Sequence, residues 1–552
     1  MKHSHKTVYQ IYPKSFCDSN ADGWGDLKGV ISRLDYLQEL GIGYIWFNAM
    51  FVSPQRDNGY DVADYRRIDP RYGTMEDFEL LCQEAKKRGI DIMLDMVFNH
   101  TSTQHEWFQR ALKGEQRYKD YYIFRKGKPD GSAPTNWQSK FGGPAWEYVE
   151  AFDEYYLHLF DVTQADLNWE NPQVRAELAD IVNFWRGKGV HGFRFDVVNL
   201  ISKAAYEDDP DQLDGRQFYT DGPRVHEYLH ELNRASFGQD PESMTVGEMS
   251  STTIANCVRY SGAKSGELSS VFSFHHLKVD YRNKQKWELM DFDFMELKRL
   301  LIDWQVGMQD AAAWNALFWC NHDQPRAISR FGDDKNYPKQ SAKMLATAIH
   351  CLRGTPYVYQ GEEIGMTNAY FTDISQYRDV ESLNIHKILT DKGMREAEVL
   401  HILQERSRDN ARTPMQWNAQ QNAGFSEGEP WIPLCANYPH VNVEANLKDP
   451  DSIFHHYQKL IQLRKDLAVI AEGRFVPMLE DHPAVFAYGR ILDEEKLIVI
   501  CNFYGKPCEI VLDEALDGYT LLLSNYEDTA PTATMQLRPY ESFVLYRNEP
   551  AS

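Results

Sequence analysis

Three carboxylates in this chain share one local pattern. Asp196 ends Gly192-Phe193-Arg194-Phe195-Asp196, Glu248 ends Met244-Thr245-Val246-Gly247-Glu248, and Asp323 ends Phe318-Trp319-Cys320-Asn321-His322-Asp323. Each acid closes a short, strand-like and largely apolar run. Acids at the ends of several different strands suit the cleavage of a glycosidic bond, which needs two carboxyl groups across the bond and stabilisation of an oxocarbenium-like transition state. Arg194 lies two residues before Asp196, so both point to one side of a strand. A guanidinium there favours the ionised carboxylate that a nucleophile requires. Glu248 follows an apolar run, and a poorly solvated carboxyl is the better proton donor. His322, beside Asp323, and His100, after another apolar run, can hydrogen-bond sugar hydroxyls.

Acids at corresponding strand ends require an element that brings strand ends together. Strand candidates fall at 8–12, 44–48, 90–98, 192–198, 244–249, 269–274, 315–322 and 355–361, each followed by helical sequence. Eight βα units predict a closed (β/α)8 TIM barrel, with its chemistry at the C-terminal strand ends. The run 90–98 is nearly continuous apolar sequence, as in a parallel strand buried on both faces. Leu34, Leu37 and Leu40 mark one face of a helix over 28–40. Thr74 with Asp77 reads as a helix start, and Asn171-Pro172 as another. Between His100 and Glu170 the rhythm is lost in sequence rich in Trp, Tyr, Gly and Pro, which predicts an inserted subdomain over 101–169. A second irregular stretch, 365–430, follows the eighth strand. From about 473 short strands at 484–490, 496–501, 507–512, 519–523 and 541–547 predict a C-terminal antiparallel β-sandwich domain over 473–552. The barrel is then 1–100 with 170–472.

Composition narrows the partners. The chain has 552 residues and a formal net charge of −22. Such an acidic surface argues against nucleic acid and anionic membranes. No apolar run approaches the ~20 residues of a membrane span, and Met1-Lys2-His3-Ser4-His5-Lys6 leads into strand-like sequence without a signal-peptide core. Eight scattered cysteines without a CxxC pair suit reduced thiols and a cytoplasmic protein. No organic cofactor and no obligatory protein partner are expected.

In Asp18-Ser19-Asn20-Ala21-Asp22-Gly23-Trp24-Gly25-Asp26, oxygen ligands recur at every second residue and Gly23 permits a sharp turn. This spacing is the first half of a calcium loop. Gly29 stands where an EF-hand has its closing glutamate, so Asp26 is expected to close the site. The predicted ligands of a structural Ca2+ ion are Asp18, Asn20, Asp22, Asp26 and the Trp24 carbonyl, with Mg2+ the other candidate.

At these motifs the sequence resembles the α-amylase family of glycoside hydrolases. The resemblance runs through Asp95-Met96-Val97-Phe98-Asn99-His100, Gln164-Ala165-Asp166-Leu167-Asn168, Gly192 to Asp196, Val246-Gly247-Glu248 and Asn321-His322-Asp323. It implies Asp196 as nucleophile, Glu248 as acid/base and Asp323 as transition-state stabiliser. It also implies that Asp57, Tyr60, His100, Arg194, His322 and Arg408 hold a glucosyl unit. Asp57-Asn58-Gly59-Tyr60-Asp61, Gly361 to Met366 and Arg408 to Trp417 are similar to the oligo-1,6-glucosidase group, whose calcium loop the 18–26 segment matches. Phe47-Asn48-Ala49 departs from that group's pattern. Ser139-Lys140-Phe141-Gly142-Gly143, Phe218 to Arg224 and Phe274 to Tyr281 resemble the phospho-α-glucosidases within it. That likeness implies a phosphorylated disaccharide, α,α-trehalose 6-phosphate, with isomaltose-type sugars as the alternative. A dianion entering so acidic a protein needs local cations. The candidates are Lys278, Lys284 and Lys286, with Arg282, His275 and His276 nearby, and Arg224. The oligo-1,6-glucosidase pattern has an acid at the position of Lys278.

Overall fold

A computed structural model describes residues 3–548. Eight parallel strands form its centre: β1 (Val8–Ile11), β2 (Tyr44–Phe47), β3 (Asp91–Met96), β4 (Gly192–Phe195), β5 (Met244–Met249), β6 (Ser270–Ser273), β7 (Ala316–Leu317) and β8 (Thr355–Tyr359). Their order is β6-β5-β4-β3-β2-β1-β8-β7, and a parallel bridge between Val271 and Asn315 joins β6 to β7. The ring is thereby the (β/α)8 barrel expected from the sequence. Ile92, Met93, Leu94 and Met96 of β3 are all buried. Each such side chain removed from water contributes about 1.5–3 kcal/mol before the entropy of ordering is subtracted.

Local signals set the helices that surround the ring. The helix Met75–Lys87 starts on a complete capping box, with Thr74 Oγ1 accepting from the Asp77 N–H at 3.1 Å and Asp77 Oδ2 from the Thr74 N–H at 3.0 Å. Pro172–Arg186 starts on Asn171, whose Oδ1 accepts the Gln173 N–H at 2.9 Å. The single helix expected over 28–40 is two, Leu27–Ile31 and Leu34–Leu40. Ser32 breaks it: its hydroxyl donates to the Gly29 carbonyl at 2.6 Å, competing with the helix's own ladder. The seventh strand is shorter than 315–322, because the Phe318 carbonyl accepts from His276 Nε2 at 2.8 Å rather than from a neighbouring strand. The stretch 365–430 is not wholly irregular. It holds the helices Val380–Asp391, capped by Asp379, and Glu396–Arg406.

After β3 the chain makes a ribbon of His100–Ser102 with Gln164–Asp166, and a three-stranded antiparallel sheet of Phe124–Arg125, Glu154–Leu157 and Trp146–Val149. The C-terminal region holds a five-stranded antiparallel sheet, in the order 474–478, 485–492, 495–502, 542–548 and 520–524, and a two-stranded sheet of 508–511 with 534–537. Val485, Ala487, Ile498, Ile500, Phe543 and Leu545 pack between the two sheets with Ile510 and Leu537. The intervening Phe486, Tyr488, Leu497, Val499 and Val544 join the main core against the barrel's helices. The alternation of strand side chains therefore builds a sandwich on one face and an attachment to the barrel on the other.

Candidate active site

The C-terminal ends of the barrel strands bring four acids together, three of them around one arginine. Asp95 comes from β3, Asp196 directly follows β4, Glu248 lies in β5, and Asp323 follows the segment after β7. Arg194 Nη1 donates to Asp95 Oδ1 at 2.8 Å and to Asp196 Oδ1 at 2.6 Å, while Nη2 donates to Glu248 Oε2. The guanidinium is 1% exposed, so its charge is balanced by these acids rather than by water. Val197, after Asp196, has φ +36°, a left-handed conformation unfavourable for a β-branched residue. It turns the chain abruptly and puts Val197 and Asp196 in the wall of the site.

The surroundings separate the carboxyls electrostatically. Burial raises the Glu248 pKa well above the usual range, with the negative neighbours Asp196 and Asp323 adding to the rise and Arg194 opposing it. Burial also disfavours ionisation of Asp323, but His322, Arg408 and Arg412 hold its carboxyl well below the ordinary range. His322 is itself pushed down to about 3 by burial, so near neutral pH it carries no charge and the arginines supply the effect. Arg412 Nη2 donates to Asp323 Oδ1 at 2.7 Å and Arg412 Nε to the His322 carbonyl at 2.9 Å.

A cavity of about 250 Å³ opens over these groups. Asp57, Tyr60, His100 and Arg408 line it beside the acids, whereas Arg194 and His322 lie buried beneath. Arg408 Nη2 donates to Asp57 Oδ1 at 3.0 Å, and Gln164 Nε2 to Asp57 Oδ2 at 3.0 Å. Tyr60 donates its hydroxyl to Asp95 Oδ2 at 2.7 Å and stacks on His322 with ring centres 5.1 Å apart. Phe141, from the excursion after β3, caps the arginine side with its ring centre 4.9 Å from the Arg408 guanidinium.

The basic candidates divide. Lys278 and Lys286 line the cavity. Lys286 Nζ is 2.6 Å from Glu381 Oε2 and is largely neutralised there, while Lys278, exposed at the rim, has Ser251 Oγ at 3.5 Å. Lys284 and Arg282 sit in an exposed 3-10 turn outside the cavity wall. Arg224 is also outside it, forked onto Glu227 at 2.9 and 2.7 Å. His275 packs tilted against Trp304 with ring centres 4.6 Å apart, and His276 donates to the Phe318 carbonyl; burial pushes both to about 4, so they are neutral near pH 7. The sequence reading missed Lys140. It lines the cavity from the excursion, and burial, with Arg216 and Lys278 close by, lowers its ammonium to about 8, opposed by Asp214. Its only sequence signal was the Ser139–Gly143 run, which marked a resemblance and not a cation site.

The 18–26 loop is closed by its own hydrogen bonds. Asp18 Oδ1 accepts the Asn20 and Ala21 N–H groups at 2.9 Å, and Oδ2 accepts from the Gly23 N–H at 2.8 Å and Ser426 Oγ at 2.6 Å. Asn20 and Asp22 accept from the Asp22 and Trp24 N–H groups. Asp26 turns instead to Ser19 and to the Gly29 N–H at 2.7 Å, capping the first helix. The donor types suit a hard cation, but among the described residues no three acids, histidines or cysteines converge as metal ligands. All eight cysteines are free thiols, and among the described residues no helix is long and apolar enough to cross a membrane.

Residues 10–473 match the alpha-amylase catalytic domain, and residues 485–544 match the C-terminal domain of the SusG alpha-amylase. The chain is 55% identical to a trehalose-6-phosphate hydrolase of Bacillus subtilis over 98% of both chains, and 47% identical to an oligo-1,6-glucosidase of Halalkalibacterium halodurans over 98% of both. The solved trehalose-6-phosphate hydrolase of Bacillus licheniformis superposes with a TM-score of 0.96, at 55% identity, covering 98% of this chain and 99% of that one. A cluster of carboxylates at the strand ends of an eight-stranded barrel, matched along 464 consecutive residues from 10 to 473, places the chain in the alpha-amylase family of glycoside hydrolases.

Proposed function

We propose that this chain is a retaining α-glucosidase that hydrolyses α,α-trehalose 6-phosphate to glucose and glucose 6-phosphate. The observation that carries the reading is the meeting of two kinds of group in one cavity: Asp196, Glu248 and Asp323 on its floor, and Lys140 and Lys278 in its wall. Relatives that share 54–55% of their residues with this chain are named for that substrate. The cations fit a phosphate dianion, which an acidic protein holds only through charge-assisted contacts.

On this reading Asp57, Arg408, Tyr60 and His100 seat the non-phosphorylated glucosyl ring, with His322 buried beneath them. An Asp196 oxygen attacks the anomeric carbon while Glu248 gives its proton to the glycosidic oxygen. Glucose 6-phosphate leaves and a glucosyl ester on Asp196 remains. Glu248, now ionised, takes a proton from water; the hydroxide attacks the same carbon, and the ester bond breaks to restore the Asp196 carboxylate. Arg194, bonded to both carboxyls, holds Asp196 and Glu248 in place through the cycle. Asp323, ionised under its arginines, faces the positive charge that develops on the ring. A cytoplasmic location is part of the proposal, since eight free thiols suit a reducing compartment.

Relative kcat/KM for trehalose 6-phosphate, trehalose and isomaltose tests the substrate. The phosphorylated sugar should lead by two orders of magnitude or more, which is about 2.7 kcal/mol. A preference for isomaltose would move the chain to the oligo-1,6-glucosidases.

A further inference from the structure

The two carboxyls of the proposed chemistry stand just beyond the end of the ladder between the strands that carry them, although Glu248 still pairs with Phe272 on its other side. The ladder between β4 and β5 pairs Gly192 with Met244 through Phe195 with Gly247, and ends one residue short of Asp196 and Glu248. Past it, Val197 turns into the left-handed region. Strain of this kind persists only where the surroundings hold it.

Asn199 supplies that hold. It is fully buried in the turn Val198–Leu200, three residues after Asp196. Its Oδ1 accepts the Ser250 N–H at 2.9 Å and its Nδ2 donates to the Ser250 carbonyl at 2.9 Å. A side-chain amide thus reproduces the paired bonds of a β-bridge, two residues beyond Glu248. The Asn199 amide and carbonyl are held in turn by Asp221: Nδ2 donates to Asp221 Oδ1 at 3.2 Å, and the Asp221 N–H donates to the Asn199 carbonyl at 2.9 Å. Asp221 is fixed by Thr252, Asn256 and Tyr260, whose side chains donate to its carboxylate at 2.9, 2.9 and 2.5 Å. All three belong to the segment that follows Glu248. The bonds to Ser250, Thr252, Asn256 and Tyr260 therefore tie the chain after Glu248 to the chain after Asp196, and the Asn199–Asp221 bonds brace the latter.

We propose that Asn199 is a positioning residue: its amide clamps Ser250 in place of the ended ladder and so sets the separation of Asp196 and Glu248. The inference rests on reading those two acids as nucleophile and proton donor. A side-chain amide can both accept from and donate to one backbone residue while also donating to Asp221, which neither alanine nor aspartate can do.

The test uses an activated aryl α-glucoside, which carries no phosphate, so its rates do not depend on the identity of the natural substrate. A misplacement of about 1 Å at reacting groups costs about 100-fold. N199A should lower kcat on the aryl glucoside by about that factor, with KM changed by less than about twofold. N199D keeps the acceptor for the Ser250 N–H but turns a carboxylate toward Asp221; it should be impaired to a similar degree. Combining it with D221N restores one donor between the two side chains and should recover at least about tenfold in kcat over N199D. Melting curves of each variant report the folded fraction. Unchanged kcat in N199A, a rise in KM with kcat intact, a loss accounted for by the unfolded fraction, or no recovery in the double variant would each overturn the role. Failure of the underlying reading shows separately, as activity retained when Asp196 itself is replaced.

Discussion

Arg194 Nη1 lies 2.6 Å from Asp196 Oδ1, and the same guanidinium bonds Glu248 Oε2 with its other nitrogen. One buried cation therefore touches both acids. Burial between Asp196 and Asp323 raises Glu248. Removing the cation would leave three carboxylates in a dry site, so its contribution is to hold the division of roles rather than to react.

That division predicts distinct defects. D196N should abolish turnover, because an amide cannot attack the anomeric carbon. E248Q should fall by about 10²–10⁴ on the natural sugar and recover partly on an aryl leaving group that needs little protonation. In the parent enzyme kcat/KM should fall as pH rises through the raised Glu248 pKa, since the donor must be protonated. The alkaline limb should vanish in E248Q with the aryl substrate. Steady-state pH profiles decide this; near-normal activity of E248Q on the disaccharide would reassign the acid.

Double displacement predicts the stereochemistry. Two carboxyls spanned by one guanidinium fit the short separation of retaining enzymes, about 5–5.5 Å, better than the wider gap of inverting ones. Proton NMR of the first-formed glucose should show the α anomer. Initial appearance of the β anomer would rule the mechanism out.

The acids were legible in the sequence because each closes a strand, and strand ends in a barrel meet. Asp196 and Glu248 needed only local periodicity and the eightfold alternation to be placed together. The helix over 28–40 was misread because Ser32 spends its hydroxyl on a helix carbonyl, which periodicity does not register. The cations were harder. Lys278, Lys284, Lys286 and Arg224 look alike in sequence, but a glutamate 95 residues from Lys286 neutralises it and Glu227 occupies Arg224. Lys140 belongs to an excursion without βα rhythm, so nothing local tied it to the barrel mouth.

The acidic loop gives a stability prediction. Donor types and spacing fit calcium, while Asp26 caps a helix and Asp18 accepts from its own turn and from Ser426. Binding would require these hydrogen bonds to be exchanged for ion contacts. If it occurs, adding calcium should raise the melting temperature and chelator lower it, by an amount that grows with the ratio of ion to Kd. The kcat of folded enzyme should not change, since the loop carries none of the reacting groups. A melting curve indifferent to both treatments would leave the loop as a hydrogen-bonded turn.

The last prediction separates the phosphate from the sugar. Lys278→Ala removes a charge-assisted contact of roughly 1.5–3 kcal/mol and should raise KM for trehalose 6-phosphate by an order of magnitude or more, with unphosphorylated glucosides almost unaffected. R224A and K284A should change neither substrate, because those side chains lie outside the cavity. Lys140 adds a pH signature. Burial lowers its ammonium to about 8, so the free enzyme carries that charge below pH 8 and loses it above. Because kcat/KM reports groups of the free enzyme, the phosphorylated substrate should show an extra decline on passing upward through pH 8. A limb due to Glu248 would be common to both substrates; this one should be missing with the aryl glucoside and missing in K140M. Identical profiles for the two substrates would mean that Lys140 supports the cavity wall without reading the phosphate.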